Sequence, residues 1–412
     1  MHILWLKTEL LHPVDKGGRI RTYQMLRALR REHQVTYLAL DDGRPDAEPV
    51  HLSREYCDRL VRVPFKPTPK GTAAFWRDLA ANVVSPLPYA VAKYRAAEMT
   101  REIREIVAKG DVDLVVCDFL FPAINVPDGL PCPVVLFQHN VEASIWRRHA
   151  AVAHTLPRKL FMGEQWRRMQ RYEAEQCVRF DHVVAVSSQD EEMFRTSYGV
   201  QSSSWVPTGV DTTFFRPSGT ISAEPHNLVF TGSMDWMPNE DGVLFFTEKI
   251  LPRIQQAVPD VTLTVVGREP TAAVVALAAK NRALRVTGRV PDVRPEIERS
   301  SVFVVPLRVG GGTRLKIYEA MAMEKPVVST AIGAEGLPVR DGEDIVIASE
   351  PDAFADAVIA LLRNPARAGT IGRRGAAAVR SQFGWEGVAA RFAETCSRVA
   401  GRELTQLLRI AG

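Results

Sequence analysis

The sequence has little cysteine. Five residues (Cys57, Cys117, Cys132, Cys177 and Cys396) are scattered through 412 positions, odd in number and without a CxxC pair. That argues against a disulfide framework or a zinc site and fits a reducing, cytoplasmic setting. Neither sign of charge dominates: 52 Lys and Arg against 48 Asp and Glu leave +4, too small an excess to call for nucleic acid as a partner. No apolar run nears the ~18 residues that a membrane span needs. The opening MHILWLKTEL carries a charge at Lys7 and reads as a first strand rather than a leader. GxGxxG and GxxxxGK[ST] are both missing, which removes the usual dinucleotide fold and the P-loop ATPases. There is no residue-level repeat and no low-complexity segment.

What is present is an alternation. Short apolar runs at Ile3–Leu6, Val35–Leu40, Leu60–Val63, Leu114–Cys117, Val134–Phe137 and His182–Val186 are spaced by helical patterns at Arg19–Arg31, Ala73–Leu79 and Ala90–Ala108. Such runs suit parallel strands buried on both faces. SWVPTGVDTTFFRPSG (Ser204–Gly219) breaks the pattern and reads as a linker. The alternation then restarts with strands at Leu228–Phe230, Val261–Val266, Leu284–Thr287, Val302–Val305, Val327–Ser329 and Ile345–Ile347, and helices at Glu240–Ala257, Asp352–Arg363 and Trp385–Leu408. The expectation is an α/β protein of two doubly wound domains with a ligand cleft between them, since ligands in such sheets bind beyond the strands' carboxyl ends.

Two glycine loops stand at strand-to-helix junctions. Gly310, Gly311, Gly312 and Thr313 separate the run Val302–Pro306 from a helix over Arg314–Met323, and Gly17–Gly18 separate Ile3–Leu6 from the helix at Arg19. Glycines let a ligand approach free N–H groups at a helix N-terminus, which favours anions and phosphate above all. Arg314 and Lys316 put cations where the helix dipole is already positive, which hints at an anionic partner. The plain alternative is a flexible loop before an exposed helix, with Lys316 and Glu319 paired at i,i+3. His139, just past Val134–Phe137, is placed to donate a hydrogen bond or move a proton near neutral pH; otherwise it caps the next helix. In VFTGSMDWMPNEDG, Gly232–Ser233 stand in the corresponding place of the second half, and the loop brings no Lys or Arg of its own. WRRHAAVAHTLPRKLFMGEQWRRMQRY (Trp146–Tyr172) has seven Lys or Arg and one Glu among its aromatics. Such a stretch suits contact with an anionic membrane surface, or a solvated helix beside an acidic acceptor site.

Together these segments resemble the family-4 retaining glycosyltransferases of the GT-B fold, over essentially the whole chain. GGGTRLKIYEAMAMEKPVVST matches the family's EAMA.G.PVV.T block, VPTGVDTTFFRP its NGVD…F.P segment, and FGWEGVAARFAE its closing helix. TGSMDW.PN with GGGTR.K is similar to the branch of exopolysaccharide and cell-envelope sugar transferases. The resemblance implies two Rossmann-like domains facing across a cleft: an acceptor-side domain at 1–205, onto which a helix at about 385–412 packs back, and a donor-binding domain at 206–384. It implies that Glu319 holds the ribose hydroxyls, that Gly17 and Gly18 approach the donor diphosphate, that His139 contacts the transferred sugar, and that Gly267, Arg289 and Val290 lie by the nucleobase. Gly232, Gly311, Gly312, Thr313 and Leu315 would line the donor.

Two departures stand out. Gly311 occupies the place of the motif's first glutamate, and the Arg/Lys pair expected after the first strand of the second domain is absent, so Arg314 and Lys316 are expected to neutralise the phosphates. The implied reaction moves a hexosyl unit from a UDP- or GDP-linked donor to a hydroxyl of a carbohydrate, lipid-linked or small-molecule acceptor, with retention and without a required metal or other cofactor. A GT-B nucleotide-sugar epimerase and a non-catalytic nucleotide-sugar binding protein are the competing readings.

Overall fold

The computed structural model describes all residues except 15–16, 44–49, 152–154, 310–314 and 402–412. The chain forms two compact units, Met1–Pro207 joined by the helix that begins at Trp385, and Thr208–Gly384.

In the first unit seven strands, β1 (His2–Lys7), β2 (Gln34–Asp41), β3 (Arg59–Pro64), β4 (Leu114–Asp118), β5 (Val134–Phe137), β6 (His182–Ala185) and β7 (Ser203–Trp205), pair in the order β3-β2-β1-β4-β5-β6-β7. Every pairing is parallel. β1, β4, β5 and β6 are buried along their whole length, as apolar runs of a sheet covered on both faces must be. Alternate residues serve opposite faces. Leu4, Leu6, Val115, Leu136 and Val183 share one core cluster. Trp5 and Phe137 point the other way, where they meet Phe392 with ring centroids at 5.6 and 4.8 Å.

The second unit repeats the design with β8 (Asn227–Thr231), β9 (Thr262–Val266), β10 (Leu284–Gly288), β11 (Val302–Val305), β12 (Val327–Ser329) and β13 (Val346–Ile347), ordered β10-β9-β8-β11-β12-β13 and parallel throughout. In each sheet the strand order reverses at one point, between β1 and β4 and between β8 and β11. In open α/β sheets the loops at the carboxyl ends of such strands diverge and leave room for a ligand.

The helices used below are α1 (Gly17–Leu29), α2 (Ala73–Asn82), α3 (Glu142–Ala151), α4 (Leu156–Arg179), α5 (Met237–Phe245), α6 (Leu315–Ala322) and α7 (Trp385–Val399). Three expectations need correction. Ser203–Trp205, the edge of the expected linker, is strand β7, bonded to β6 but too short and polar to stand out. The helix expected over Ala90–Ala108 is two, Tyr89–Ala92 and Ala97–Val107. Asn125 holds the break open, its side chain accepting from Ala96 N–H and donating to Tyr94 C=O at 2.8 Å each. A further helix, Pro365–Gln382, begins with Pro365 in its first turn and Asn364 capping Arg367 N–H, a start signal that precedes no strong apolar period. No described helix is long and apolar enough to cross a membrane.

Candidate active site

In the first unit the carboxyl ends of β1, β4 and β5 bring together Lys7, Asp118 and His139. All three are buried. Asp118 Oδ2 accepts from Lys7 Nζ at 2.7 Å, from Thr22 Oγ1 of α1 at 2.6 Å and from Trp5 Nε1 at 3.0 Å. Its other oxygen lies 2.5 Å from His139 Nε2, off the axis of an aligned hydrogen bond. Burial alone would push the Asp118 carboxyl up, but the Lys7 ammonium and His139 more than reverse this and hold it well below the usual carboxylate range. Burial pushes His139 down to about 3, and the attraction of Asp118 only partly opposes it. Burial thus favours the neutral ring. Its Nδ1 is buried and finds no hydrogen-bond partner among the described residues, so it is an available acceptor or donor at the sheet edge.

Phe119 covers this imidazole. The two rings stack at 3.8 Å with 25° between planes, and Lys7 Nζ lies 4.3 Å from the Phe119 centroid. Phe119 has φ 72°, a left-handed conformation that costs a bulky residue roughly 1–3 kcal/mol. Gly18 explains part of the arrangement: a Cβ there would lie 3.1 Å from Phe119 Cζ, so this glycine makes room for a ring. The loop after His139 is fixed from α4. Glu173, fully buried, accepts the free N–H groups of Glu142 and Ala143 at the start of α3, at 2.8 and 3.0 Å, and the Tyr198 hydroxyl at 2.9 Å.

In the second unit Gly232 follows β8 and Gly267 follows β9. A Cβ on Gly267 would lie 1.7 Å from Gly232 O. Gly267 is thus required by backbone-to-backbone packing, a reason that is independent of any nucleobase. A Cβ on Gly232 would meet Asn239 Nδ2 at 2.6 Å and Lys316 Nζ at 2.7 Å, so this glycine vacates the space that the ammonium occupies. Lys316, from the first turn of α6, donates to Asn239 Oδ1 at 2.8 Å and sits over the Phe230 ring at 4.1 Å. Asn239 in turn donates to Ser233 O at 2.8 Å. Arg268 reaches Ser233 Oγ at 2.8 Å. The TGSMDWMPN loop has no cation of its own, yet two reach it from elsewhere. Glu319 stands one turn after Leu315, with part of its surface open. Enough protein surrounds its carboxyl for burial to raise the pKa to about 7, with Lys316 opposing. Arg289 is exposed and Val290 packs on the unit's core. Gly311, Gly312, Thr313 and Arg314 lie outside the described residues.

Three aromatics of the basic stretch pack inward. Tyr172 is buried, and Trp146 and Trp166 pack beside it against Val91, Leu120 and Met169. These aromatics serve the core, and the apolar groups exposed nearby are different ones.

Two family models match, "Glycosyltransferase Family 4" over residues 16–214 and "Glycosyl transferases group 1" over residues 225–364. The chain belongs to the family-4 (group 1) glycosyltransferases. This glycosyltransferase is 22% identical to an uncharacterized 44.6 kDa protein of the cps region of Klebsiella pneumoniae, a match covering 88% of this chain and 91% of that one. It is 29% identical to the phosphatidyl-myo-inositol mannosyltransferase of Mycobacterium leprae, over 47% of this chain and 53% of that one. With the lipopolysaccharide core biosynthesis mannosyltransferase of Rhizobium leguminosarum the identity is 27%, over 55% and 67%. The chain thus spans about half the length of the first of these mannosyltransferases. Among solved structures it resembles sucrose-phosphate synthase from Thermosynechococcus elongatus (TM-score 0.73, 18% identity, 100% of both chains). It also resembles Anabaena HepE solved with UDP and glucose (TM-score 0.66, 16% identity, 96% and 99%). These likenesses give the GT-B fold.

Sequence motifs thus nominated Lys316, Glu319, His139 and the strand-end glycines. They missed Lys7, Thr22, Asp118, Phe119, Asn239 and Arg268. The available signal was a charged residue closing an apolar strand, as Lys7 closes β1 and Asp118 closes β4.

Proposed function

We propose that this glycosyltransferase moves a hexosyl unit from a nucleoside-diphosphate sugar to a hydroxyl of a cell-envelope glycan or lipid-linked sugar, with retention at the anomeric carbon. The bond from the anomeric carbon to the diphosphate oxygen breaks. A bond from that carbon to the acceptor oxygen forms on the same face, and the acceptor proton passes to the leaving phosphate oxygen. The observation that carries this reading is Lys316, whose ammonium is held beside Gly232 and Asn239 at the strand-order reversal. A leaving diphosphate gains charge as its bond breaks, and a cation fixed in advance stabilises that charge more than it stabilises the bound donor. Lys316 and the α6 N-terminus supply this charge, so turnover is expected to persist in a chelator. Glu319 would accept from the ribose hydroxyls. His139, neutral and tied toward Asp118 on one side, would hold a sugar hydroxyl through Nδ1 rather than attack or shuttle protons.

The test is direct. Purified protein is screened by thermal shift against UDP, GDP and their hexose conjugates, because a ligand specific to the folded state raises the midpoint by mass action. The donor that binds is then incubated with an acceptor panel, and the product's anomeric configuration is read by NMR. Stabilisation by one nucleoside diphosphate followed by transfer with retention supports the proposal. Inverted product overturns the stereochemical part, and no response to any nucleotide overturns the donor site.

A further inference from the structure

We propose that the first unit docks on an anionic lipid surface through the start of α4 and the outer side of α2. On α4 the buried side is marked by Gln165, Met169, Tyr172 and Gln176. Leu156 and Leu160 stand roughly 140–180° round the helix from Gln165 and Met169. They are 69% and 66% exposed, so packing within the unit does not account for them. α2 repeats the pattern. Asn82 is buried, while Trp76, Val83 and Val84 are 61%, 66% and 90% exposed, at spacings of i, i+7 and i+8. The two helices are neighbours: Arg168 of α4 donates to the carbonyls of Asn82 and Val83 at 2.6 and 2.8 Å, and to Glu164 at 2.8 Å.

Charge decides what covers this patch. Trp146–Tyr172 holds seven Lys or Arg against one Glu, an excess larger than the net +4 of the whole chain. Arg158 and Lys159 flank the two leucines, and Lys70 and Arg77 flank Trp76. A second copy would bring these cations against one another, and protein interface cores are depleted in charge. An exposed Trp, aliphatic residues and a surround of Lys and Arg are the combination that binds at an anionic bilayer interface, where apolar insertion and headgroup attraction add.

The experiment is co-sedimentation of the full chain with vesicles of phosphatidylcholine, alone or mixed with phosphatidylglycerol, beside L156S/L160S, W76S and R158Q/K159Q. All these side chains are exposed, so unchanged circular dichroism and melting temperature confirm the fold of each variant. Wild type is expected to pellet with the mixed vesicles and not with phosphatidylcholine alone. The leucine pair and the cation pair should each weaken binding about tenfold or more, and salt should reverse it. Equal binding by wild type and both double variants overturns the proposal, as does failure to bind the mixed vesicles. So does a concentration-dependent dimer in sedimentation velocity that L156S/L160S abolishes, which would assign the patch to a second copy. Wild-type binding to an acidic protein, with none to vesicles, would assign it to a protein partner.

Discussion

The Lys316 ammonium lies over the Phe230 ring and is hydrogen-bonded to Asn239, so it is placed before any ligand arrives. A preorganised cation should act chiefly in the transition state. Lys316→Ala is therefore expected to lower kcat by about 10²–10³-fold with little change in melting temperature. Equal activity with an unchanged fold would remove Lys316 from the reaction. Lys316→Arg should not rescue, because a planar guanidinium needs more room than the space beside Gly232 allows. Glu319 invites a different measurement. Its carboxyl is pushed up to about 7 by burial, against the attraction of Lys316, so it is largely neutral at pH 6 and charged at pH 8. If the carboxylate accepts from the ribose, donor KM should fall as pH rises through 7, and Glu319→Gln should flatten that dependence while raising KM. A profile with the same inflection in the variant would sink the assignment. Both residues were readable in the sequence because they sit in one contiguous motif. Asp118 and Lys7 were not, because their contact joins positions 111 residues apart and only the strand order makes them neighbours.

At the scale of elements, the start of α3 is held by a carboxyl group from another helix. Glu173 on α4 accepts from the Glu142 and Ala143 N–H groups, groups that a helix N-terminus otherwise leaves unpaired. Burial raises Glu173 to about 8, against its backbone donors, and raises Glu142 to about 7, against the Asn140 amide. Both lie above the ordinary 4.5 of a glutamate. The folded state therefore retains protons that the unfolded chain releases. The resulting stability is fully present below about pH 4.5 and is lost as pH rises through 7 to 8. Urea midpoints between pH 5 and 9 should fall across that window, and Glu142→Gln should make the fall shallower. A parallel profile in the variant would show that this carboxyl does not titrate in the window. Capping at this distance is invisible to local pattern, which also explains uneven success elsewhere. The fully buried strands and the amphipathic helices were legible because their period is local. β7 was not, being three residues, two of them serine, stabilised by pairing, and neither was the break at Tyr94–Ala96, which depends on Asn125.

At the scale of the molecule, the chain leaves the first unit at Pro207, builds the second, and returns at Trp385. The first unit is therefore completed only by its last described helix. α7 packs on α1 and buries Trp385, Val388 and Phe392. Phe392 is wholly buried and closes a three-ring cluster with Trp5 of β1 and Phe137 of β5. Those are the two strands whose carboxyl ends carry Lys7 and lead into His139, so loss of the ring loosens the sheet edge that holds the site. The closing helix was legible from its motif; its dependence on Trp5 was not, since that contact joins the two ends of the sequence. Phe392→Ala should destabilise by about 3–5 kcal/mol, as for other buried aromatics cut to alanine, and the cost should fall on one unit. In native-state hydrogen exchange the amides of β1, β4 and β5 should lose protection while those of β8, β9 and β11, which have their own core, keep theirs. Nucleoside-diphosphate binding, assigned to the second unit, should survive in the same variant although transfer is weakened. Equal loss of protection in both sheets would mean that the two units unfold as one cooperative block, and loss of nucleotide binding in a still-protected second unit would place part of that site on the first.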